Sequence, residues 1–129
     1  VRTDMNEDIL FFFNQHMEAL PLYEALEELV LKEIGNVRIT VRKTQISFYN
    51  KHLFACVSFM GVRKKKDCPA AWIVVTLGLN RRLDSSRIEA VSEPYPNRWT
   101  HHLLLSDVKE LDEELLSWIK EAAAFADGK

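Results

Sequence analysis

The sequence predicts an α+β domain in which two helices precede a mainly antiparallel sheet of five or six strands, and a C-terminal amphipathic helix closes the chain. Two observations predict this class. Apolar residues recur with a helical period before Gly35 and after Asp107, and they alternate with polar residues over much of the chain between these positions. Helices and strands that are segregated in this way are typical of an α+β fold.

The region before Gly35 has the pattern of two helices. Residues 8–17 place apolar side chains near one helical face, and residues 1–7 before them are expected to be a flexible segment. Pro21 suits the first turn of a second helix because its missing N–H would have no partner there, and Gly35 suits the position after the last turn. The apolar stripe of this second helix comprises Leu22, Leu26, Leu29, Val30 and Ile34.

The middle of the chain indicates four strands and a weaker fifth. Residues 37–41 and 46–49 alternate apolar and polar side chains, which is typical of half-buried strands. Residues 53–60 and 72–79 are largely apolar on both faces, so we expect them to be the central strands. A weaker strand follows at residues 87–91.

The last third of the chain predicts one more strand and the clearest helix. A turn region around Pro94 and Pro96 precedes a strand at about residues 99–105. Asp107 can then accept hydrogen bonds from the following backbone N–H groups while Glu110 reaches back to complete a capping box. The apolar face of this helix, which should cover the sheet, comprises Val108, Leu111, Leu115, Trp118, Ile119, Ala122 and Phe125.

Size and composition predict one globular domain. The chain has 129 residues, of which 47% are hydrophobic and 28% are charged, and we place a single domain at residues 8–127. No apolar stretch approaches the roughly 20 residues of a membrane-spanning helix, so we expect no membrane association. The first residue, Val1, is not Met, which is compatible with excision from a longer multidomain chain.

The two cysteines favour a reducing compartment. Cys56 lies in an apolar run and Cys68 in a polar connection, and nothing else in the sequence suggests disulfide formation. No basic region precedes an apolar run at the N-terminus, as an export signal would require. We therefore expect reduced thiols and a cytoplasmic location.

The net charge of −2 conceals a segregation of charge along the chain. Residues 1–35 carry −6, residues 36–106 carry +8 and residues 107–129 carry −4. The predicted sheet is therefore basic and the helices are acidic. A basic sheet can attract an anionic ligand, but it can equally complement the acidic helices or discourage aggregation between sheets.

The sequence contains no complete catalytic or metal-binding motif. Its four glycines form no phosphate-binding loop, and no serine lies in a nucleophile elbow. His101 and His102 are adjacent on a predicted strand, so their side chains point to opposite faces and cannot readily bind one metal together. We expect no metal and no cofactor.

A loose group of cationic and aromatic residues at the rim of the predicted sheet is the main candidate ligand-binding site. Guanidinium groups beside an aromatic ring and a titratable imidazole suit a carboxylate, phosphate or nucleotide. The candidate residues are Lys43, Arg81, Arg82, Arg98, Trp99 and His102. They favour a non-enzymatic binding or accessory module that accepts a small anionic ligand or an acidic segment of a partner protein.

Two other functions stay open. The first is nucleic-acid binding through basic hairpins that act as wings, for which the candidate residues are Arg63, Lys64, Lys65 and Lys66. The second is an enzyme that uses His102 as acid or base beside an arginine clamp.

The chain can be a monomer or a dimer, and Phe11, Phe12 or Tyr95 would support a dimer if exposed.

Several segments together resemble a known family. They are residues 20–26, Phe54 with Ala55, residues 77–83 with paired arginines followed by Asp84 and Ser85, residues 98–102, and residues 112–122 around Trp118. Over about residues 16–126 and in this order, they resemble the bacterial family called domain of unknown function 5655. The resemblance implies a bacterial domain without an established activity.

A more distant resemblance involves the central strands and the closing helix. A Phe and an Ala in a central strand, a His that begins a late strand and a C-terminal amphipathic helix resemble the MmcQ/YjbR-like and YdhG-like small α/β proteins. Some of those proteins have been described as similar to DNA-binding wing folds. This resemblance implies a nucleic-acid function for the basic hairpins.

Overall fold

The computed structural model describes residues 3–14, 16–35, 37–59 and 71–128, with side chains from residue 7 onward. The helices are α1 (Thr3–Phe12), α2 (Leu20–Glu33) and α3 (Glu113–Asp127), and 3₁₀ turns lie at Met17–Ala19 and Val108–Glu110. The strands are β1 (Arg38–Val41), β2 (Gln45–Tyr49), β3 (Leu53–Ser58), β4 (Ile73–Leu79), β5 (Ile88–Tyr95) and β6 (Arg98–Leu105).

Within the described residues, six strands form one sheet. Their order is β1-β2-β3-β4-β6-β5, and every neighbouring pair is antiparallel. The predicted α+β class, with its two leading helices and one closing helix, is therefore confirmed. Because β6 lies between β4 and β5, the connection between those two strands must pass β6. We call this connection, residues 80–87, the crossover segment.

The helices contribute to one apolar core with one face of the sheet. Side chains of α1, α2 and α3 form a single buried cluster with alternate residues of β2, β4 and β6. Among the largest fully buried members are Phe13, Tyr23, Leu26, Phe48, Leu77, Leu105 and Leu115. Burial of one such side chain stabilises the fold by about 1.5–3 kcal/mol. We call this side of the sheet the helix face and the opposite side the outer face.

Helix α1 begins and ends earlier than the sequence pattern predicts. It spans Thr3–Phe12 rather than residues 8–17, so part of the segment expected to be flexible is helical. The chain turns after the helix, where the N–H of His16 donates to the carbonyl of Phe13 at 2.8 Å. In this turn the side chain of Phe13 is fully buried. The free energy gained by burying its ring offsets what a longer helix with a continuous apolar face would have gained. The domain boundaries at 8–127 stay a prediction.

Strand β5 is longer than predicted and includes a proline. It spans Ile88–Tyr95 instead of residues 87–91, and it contains Pro94. An edge strand tolerates proline because one side of its backbone has no neighbouring strand to receive an N–H. The tight turn comes later, at Asn97, whose φ of 62° is in the left-handed region that asparagine tolerates.

Helix α3 starts after a separate 3₁₀ turn. The predicted capping box between Asp107 and Glu110 is present, but it caps that turn rather than α3. The backbone then leaves the helical region at Leu111, with φ −82° and ψ 65°. Asp112 caps α3 instead, because its carboxylate accepts a hydrogen bond from the N–H of Leu115 at 3.0 Å.

Candidate functional site

The predicted ligand residues do not meet in one place. Antiparallel pairing puts the end of β4, the start of β6 and the end of β5 at one end of the sheet. Arg81, Arg98 and Trp99 lie at this end. Lys43 lies in the β1–β2 turn at the opposite end, and His102 lies further along β6. The sequence could not show this separation because it depends on strand order.

Arg81 is held by a carboxylate of α3. Its Nε and Nη2 atoms donate to the two carboxylate oxygens of Glu121 at 2.8 and 2.9 Å. These hydrogen bonds raise the pKa of Arg81 and lower the pKa of Glu121, so both groups are charged at neutral pH. Such an exposed pair contributes little to stability. The carboxylate of Glu121 does, however, partly neutralise the guanidinium, so Arg81 attracts an anionic ligand less strongly.

Arg98 and Trp99 begin β6 and point to opposite faces of the sheet. The guanidinium carbon of Arg98 lies 6.0 Å from the centre of the Tyr95 ring, which is within cation–π range. Trp99 is half-buried and pairs with Leu79 of β4. Their opposite orientation means that they cannot flank one small ligand as the sequence suggested.

His101 and His102 have different environments. His101 is fully buried on the helix face, where its Nε2 accepts a hydrogen bond from the N–H of Leu83 at 2.9 Å. His102 is half-buried on the outer face, and its Nδ1 shares a hydrogen bond with the hydroxyl of Thr76 at 2.8 Å. Burial lowers the pKa of each ring, so both are mainly neutral at neutral pH.

A row of polar side chains crosses the outer face. Strand pairing aligns Ser47, Cys56, Thr76 and His102 across four neighbouring strands. The Oγ of Ser47 lies 4.0 Å from the Sγ of Cys56. Burial raises the pKa of Cys56, so its thiol stays protonated and is not an activated nucleophile. No sequence pattern indicated this row, because the alignment of the four residues depends on strand register.

Three surface cavities contain one predicted cationic residue each, and the charges around them differ. Arg82 lines a cavity of about 580 Å³ together with Asp84 and Glu89, whose carboxylates oppose an anion. Arg98 lines a cavity of about 440 Å³ beside the C-terminus of α3, where the helix dipole is negative. Lys43 lines a cavity of about 670 Å³, which we call the Lys43 cavity, and no carboxylate is among its described lining residues. The Lys43 cavity therefore suits an anion best.

The Lys43 cavity lies between the end of α1, the β1–β2 turn and the end of β3, and it has an aromatic wall. The ring of His16 stacks on Phe59 with 4.0 Å between the ring centres and 18° between the planes. Phe12 stacks on the same ring at 5.4 Å and 24°. Phe11, which is 73% exposed, also lines the cavity. The lining of the Lys43 cavity also includes the polar residues Asn14, Thr44, Gln45 and Ser58.

Most of this wall was not predicted as a binding surface. In the sequence, Phe11 and Phe12 indicated a possible dimer surface, and no pattern marked His16 or Phe59 as part of a binding site. These residues come from elements that are distant in sequence, and only the packing of α1 beside the sheet brings them together. Among the residues of this cavity, only Lys43 was predicted to bind a ligand, because it is a cation in a predicted turn.

Some predicted features lie outside the described residues. These are Cys68 and the basic run of Arg63, Lys64, Lys65 and Lys66, so the nucleic-acid wing stays a prediction. In the described part of the chain, no group of three or more His, Cys, Asp or Glu side chains could hold a metal ion. No helix there is long and apolar enough to cross a membrane.

Comparison with known proteins gives one family match. The model of the family described as Domain of unknown function (DUF5655) matches residues 11–126, which include all six strands and most of α3. No curated protein and no solved structure matches the chain significantly. The more distant resemblance to the MmcQ/YjbR-like and YdhG-like proteins stays a prediction. The chain belongs to the DUF5655 family, a domain family of unknown function.

Proposed function

We propose that this domain is a non-enzymatic binding module, and that the Lys43 cavity accepts a small anion with a flat apolar group. The observation that carries the proposal is the position of Lys43 in an aromatic-lined cavity that contains no carboxylate among its described residues. The described part of the chain gives Lys43 no ion-pair partner. Its charge is therefore open to a ligand.

Each part of the cavity suits a part of such a ligand. The ammonium of Lys43 is a compact cation with three N–H donors, which can bind a carboxylate or phosphate. The rings of Phe12 and Phe59 offer aromatic surface against which a flat group can pack. The cavity volume of about 670 Å³ is within the range typical of small-molecule sites.

The other predicted ligand residues support a second contact rather than the same one. Arg82 and Arg98 have no carboxylate partner in the described residues, and they lie away from Lys43. An acidic segment of a partner protein is long enough to use them. Trp99 and His102 point to opposite faces of β6, an internal strand, so such a segment would contact only one of them.

The test is a titration of the ¹⁵N-labelled domain followed by ¹H–¹⁵N chemical shifts. Benzoate is the probe, and benzamide and acetate are its matched controls, because one lacks the charge and the other lacks the ring. We expect benzoate to shift the amide signals of residues 43–45, 58 and 59. Both controls should bind at least about fivefold more weakly, which corresponds to about 1 kcal/mol.

A pair of variants separates the Lys43 cavity from general surface charge. We expect Lys43→Ala to weaken benzoate binding by about fivefold or more. Lys51→Ala removes the same charge from another exposed turn, at the opposite end of the sheet, and should leave binding unchanged. Equal losses in the two variants, or shifts confined to other parts of the domain, would contradict the proposal.

Nucleic-acid binding is the alternative, supported by the +8 charge of residues 36–106. Fluorescence anisotropy with duplex and single-stranded DNA at two salt concentrations distinguishes it from the first proposal. Binding that appears at low salt and weakens steeply with added salt would favour the alternative. Absence of binding at low salt would exclude it.

Catalysis by His102 has less support. The described residues give its ring the hydroxyl of Thr76 as partner but no carboxylate to orient the other nitrogen, as nucleophile–base pairs usually have.

A cytoplasmic bacterial setting is part of the proposal. It is supported by the free, buried thiol of Cys56 and by the sequence resemblance.

A further inference from the structure

The crossover segment is fastened to the rest of the domain at three points. At one end Arg81 pairs with Glu121 of α3, with 2.8 Å between Nε and Oε2. At the other end Arg87 reaches the N-terminal part of α3, and its Nη1 lies 3.0 Å from a carboxylate oxygen of Asp112. In the middle, the N–H of Leu83 donates to Nε2 of His101 at 2.9 Å.

The middle fastening requires a neutral imidazole. Because Nε2 accepts a hydrogen bond, the single ring proton of His101 must be on Nδ1. The Nδ1 atom is buried and makes no hydrogen bond of ordinary geometry, although backbone groups of Leu77 and Trp99 lie near the ring. A second proton would have to bind at Nε2, where it would face the N–H of Leu83 as donor against donor.

We propose that protonation of His101 breaks its bond to Leu83 and lets residues 82–85 separate from β6 while both ends of the crossover segment stay attached. The ring is 0% exposed, so protonation and opening are one coupled event. The proton comes from solvent and no covalent bond changes. The crossover segment is thus a pH-sensitive strap.

The end fastenings keep their charges when the middle opens. Hydrogen bonding to Arg81 lowers the pKa of Glu121, and hydrogen bonds from the Leu115 N–H and Arg87 lower the pKa of Asp112. Both carboxylates therefore stay ionised at the mildly acidic pH at which a histidine titrates. Opening is confined to the middle of the segment for this reason.

Burial of His101 and the charges that face it together set the pH at which the strap opens. Burial has the largest effect and lowers the pKa of the ring, and the nearby charges of Arg81 and His102 lower it further. Backbone groups of β4 and β6 partly oppose these effects. Glu121, from α3, also faces the ring and favours the imidazolium. We therefore expect opening below the ordinary histidine pKa of 6.5.

Opening changes the cavity that the crossover segment shares with β5. Its lining includes Leu83, Asp84 and Ser85 from the segment, and Ile88 and Val91 from β5. Leu83 is only 5% exposed in the closed form. When the middle of the segment leaves β6, this leucine and the adjoining strand surface become accessible. The cavity of about 580 Å³ is present in the closed form, and opening at acidic pH would enlarge it by exposing Leu83 to a ligand or partner.

Amide hydrogen exchange of the intact domain tests the strap. The exchange of the Leu83 N–H is compared with that of Leu77 and Leu103, in β4 and β6, from about pH 7.5 to about pH 5, after correction for intrinsic rates. We expect protection of Leu83 to fall at least about tenfold while protection of the strand amides is kept. The loss should follow the titration of the His101 ring, measured from its ¹⁵N shifts in the same sample.

Two variants assign the effect to one ring. In His101→Gln the amide oxygen can accept the Leu83 N–H but does not titrate, so protection of Leu83 should become independent of pH. His102→Gln, on the opposite face, should keep the loss of protection and shift it only slightly to higher pH, because it removes the repulsion from His102 but leaves the His101 ring in place. The proposal is overturned if the wild-type Leu83 amide keeps its protection at low pH. Simultaneous loss at Leu77 and Leu103 would also overturn it, because that would be global unfolding.

Discussion

Glu27 shows how the domain accommodates a buried acid. Its side chain is 2% exposed within α2, and the hydroxyl of Tyr23, one turn earlier, donates to its Oε2 at 2.7 Å. A buried carboxylate is costly unless hydrogen bonds satisfy it. The i, i+4 spacing of the two residues places them side by side on the helix surface.

Removal of the tyrosine hydroxyl should therefore destabilise the fold. We expect Tyr23→Phe to lower the free energy of unfolding by about 1–3 kcal/mol, because Glu27 loses the O–H donor of Tyr23 while it stays buried. Urea denaturation measures the change. Tyr49→Phe is the matched control, since the Tyr49 side chain is only half-buried in β2. A loss no larger than that of the control would show that the Tyr23 hydroxyl contributes nothing.

At the scale of elements, the crossover segment is bound to α3 by one arginine in particular. The guanidinium of Arg87 contacts carboxylate oxygens of Asp112 and Glu114 at 3.0 Å each, and it donates to the carbonyl of Glu110 at 2.8 Å. It also lies over the ring of Trp118, 5.5 Å from its centre. This side chain therefore joins the start of β5 to the start of α3.

Loss of Arg87 should weaken the connection between these elements. We expect Arg87→Ala to destabilise the domain by about 1–2 kcal/mol, mainly through the lost carbonyl hydrogen bond and ring contact, since exposed ion pairs contribute little. Arg87→Lys should restore only part of this, because lysine lacks the planar fork. Arg82→Ala is the control within the same segment. Equal thermal stabilities of the Arg82 and Arg87 variants would refute this role.

Boundaries of elements were the least predictable part of the fold. The sequence indicated the capping box at Asp107 correctly, but not that the chain turns again at Leu111 before α3 begins. The sequence around Pro94 predicts a turn because prolines rarely lie inside strands, and the edge position that accommodates this proline depends on strand order. In both cases local signals were present, and the neighbouring elements decided how they were used.

Over the whole molecule, the segregated charge has two parts. Arg81 and Arg87 from the strand region pair with acidic residues of α3, so some of the segregation is complementarity within the fold. Lys43, Arg82 and Arg98 have no such partner in the described residues. Under the proposed function these three cations contact ligands or partners, while Arg38, Arg42 and Lys51 of the same region also have no carboxylate partner in the described residues.

The stability of the whole molecule should also depend on pH through its buried histidines. Burial lowers the pKa of His101 and His102 below 6.5, so the unfolded chain binds more protons than the folded chain in the window just below that pH. Stability should therefore be full above this window and fall as the pH decreases through it. The lowered pKa values of Asp112 and Glu121 act separately, and their contribution is lost only at more acidic pH.

Urea denaturation at several pH values measures this dependence. We expect the free energy of unfolding to decrease from about pH 7 to about pH 5.5 in the wild type, and to decrease less in His101→Gln. His52→Gln is the control, because His52 lies in an exposed turn. A wild-type free energy that is constant over this range would contradict the expected linkage.

The sequence by itself determined the α+β class, the order of helices and strands, most of the apolar face of α3 and the family, because periodicity, capping residues and motif order are local properties of the chain. Val108 and Leu111, which the pattern assigned to that face, precede α3, and Val108 is 53% exposed. The tertiary structure determined which residues are neighbours in space. Strand order separated Lys43 from Arg81 and Arg98, and register aligned the polar row on the outer face. The packing of α1 beside the sheet built the aromatic wall of the Lys43 cavity. Contacts between residues distant in sequence depend on the register and packing of the whole fold, and no local pattern encodes them.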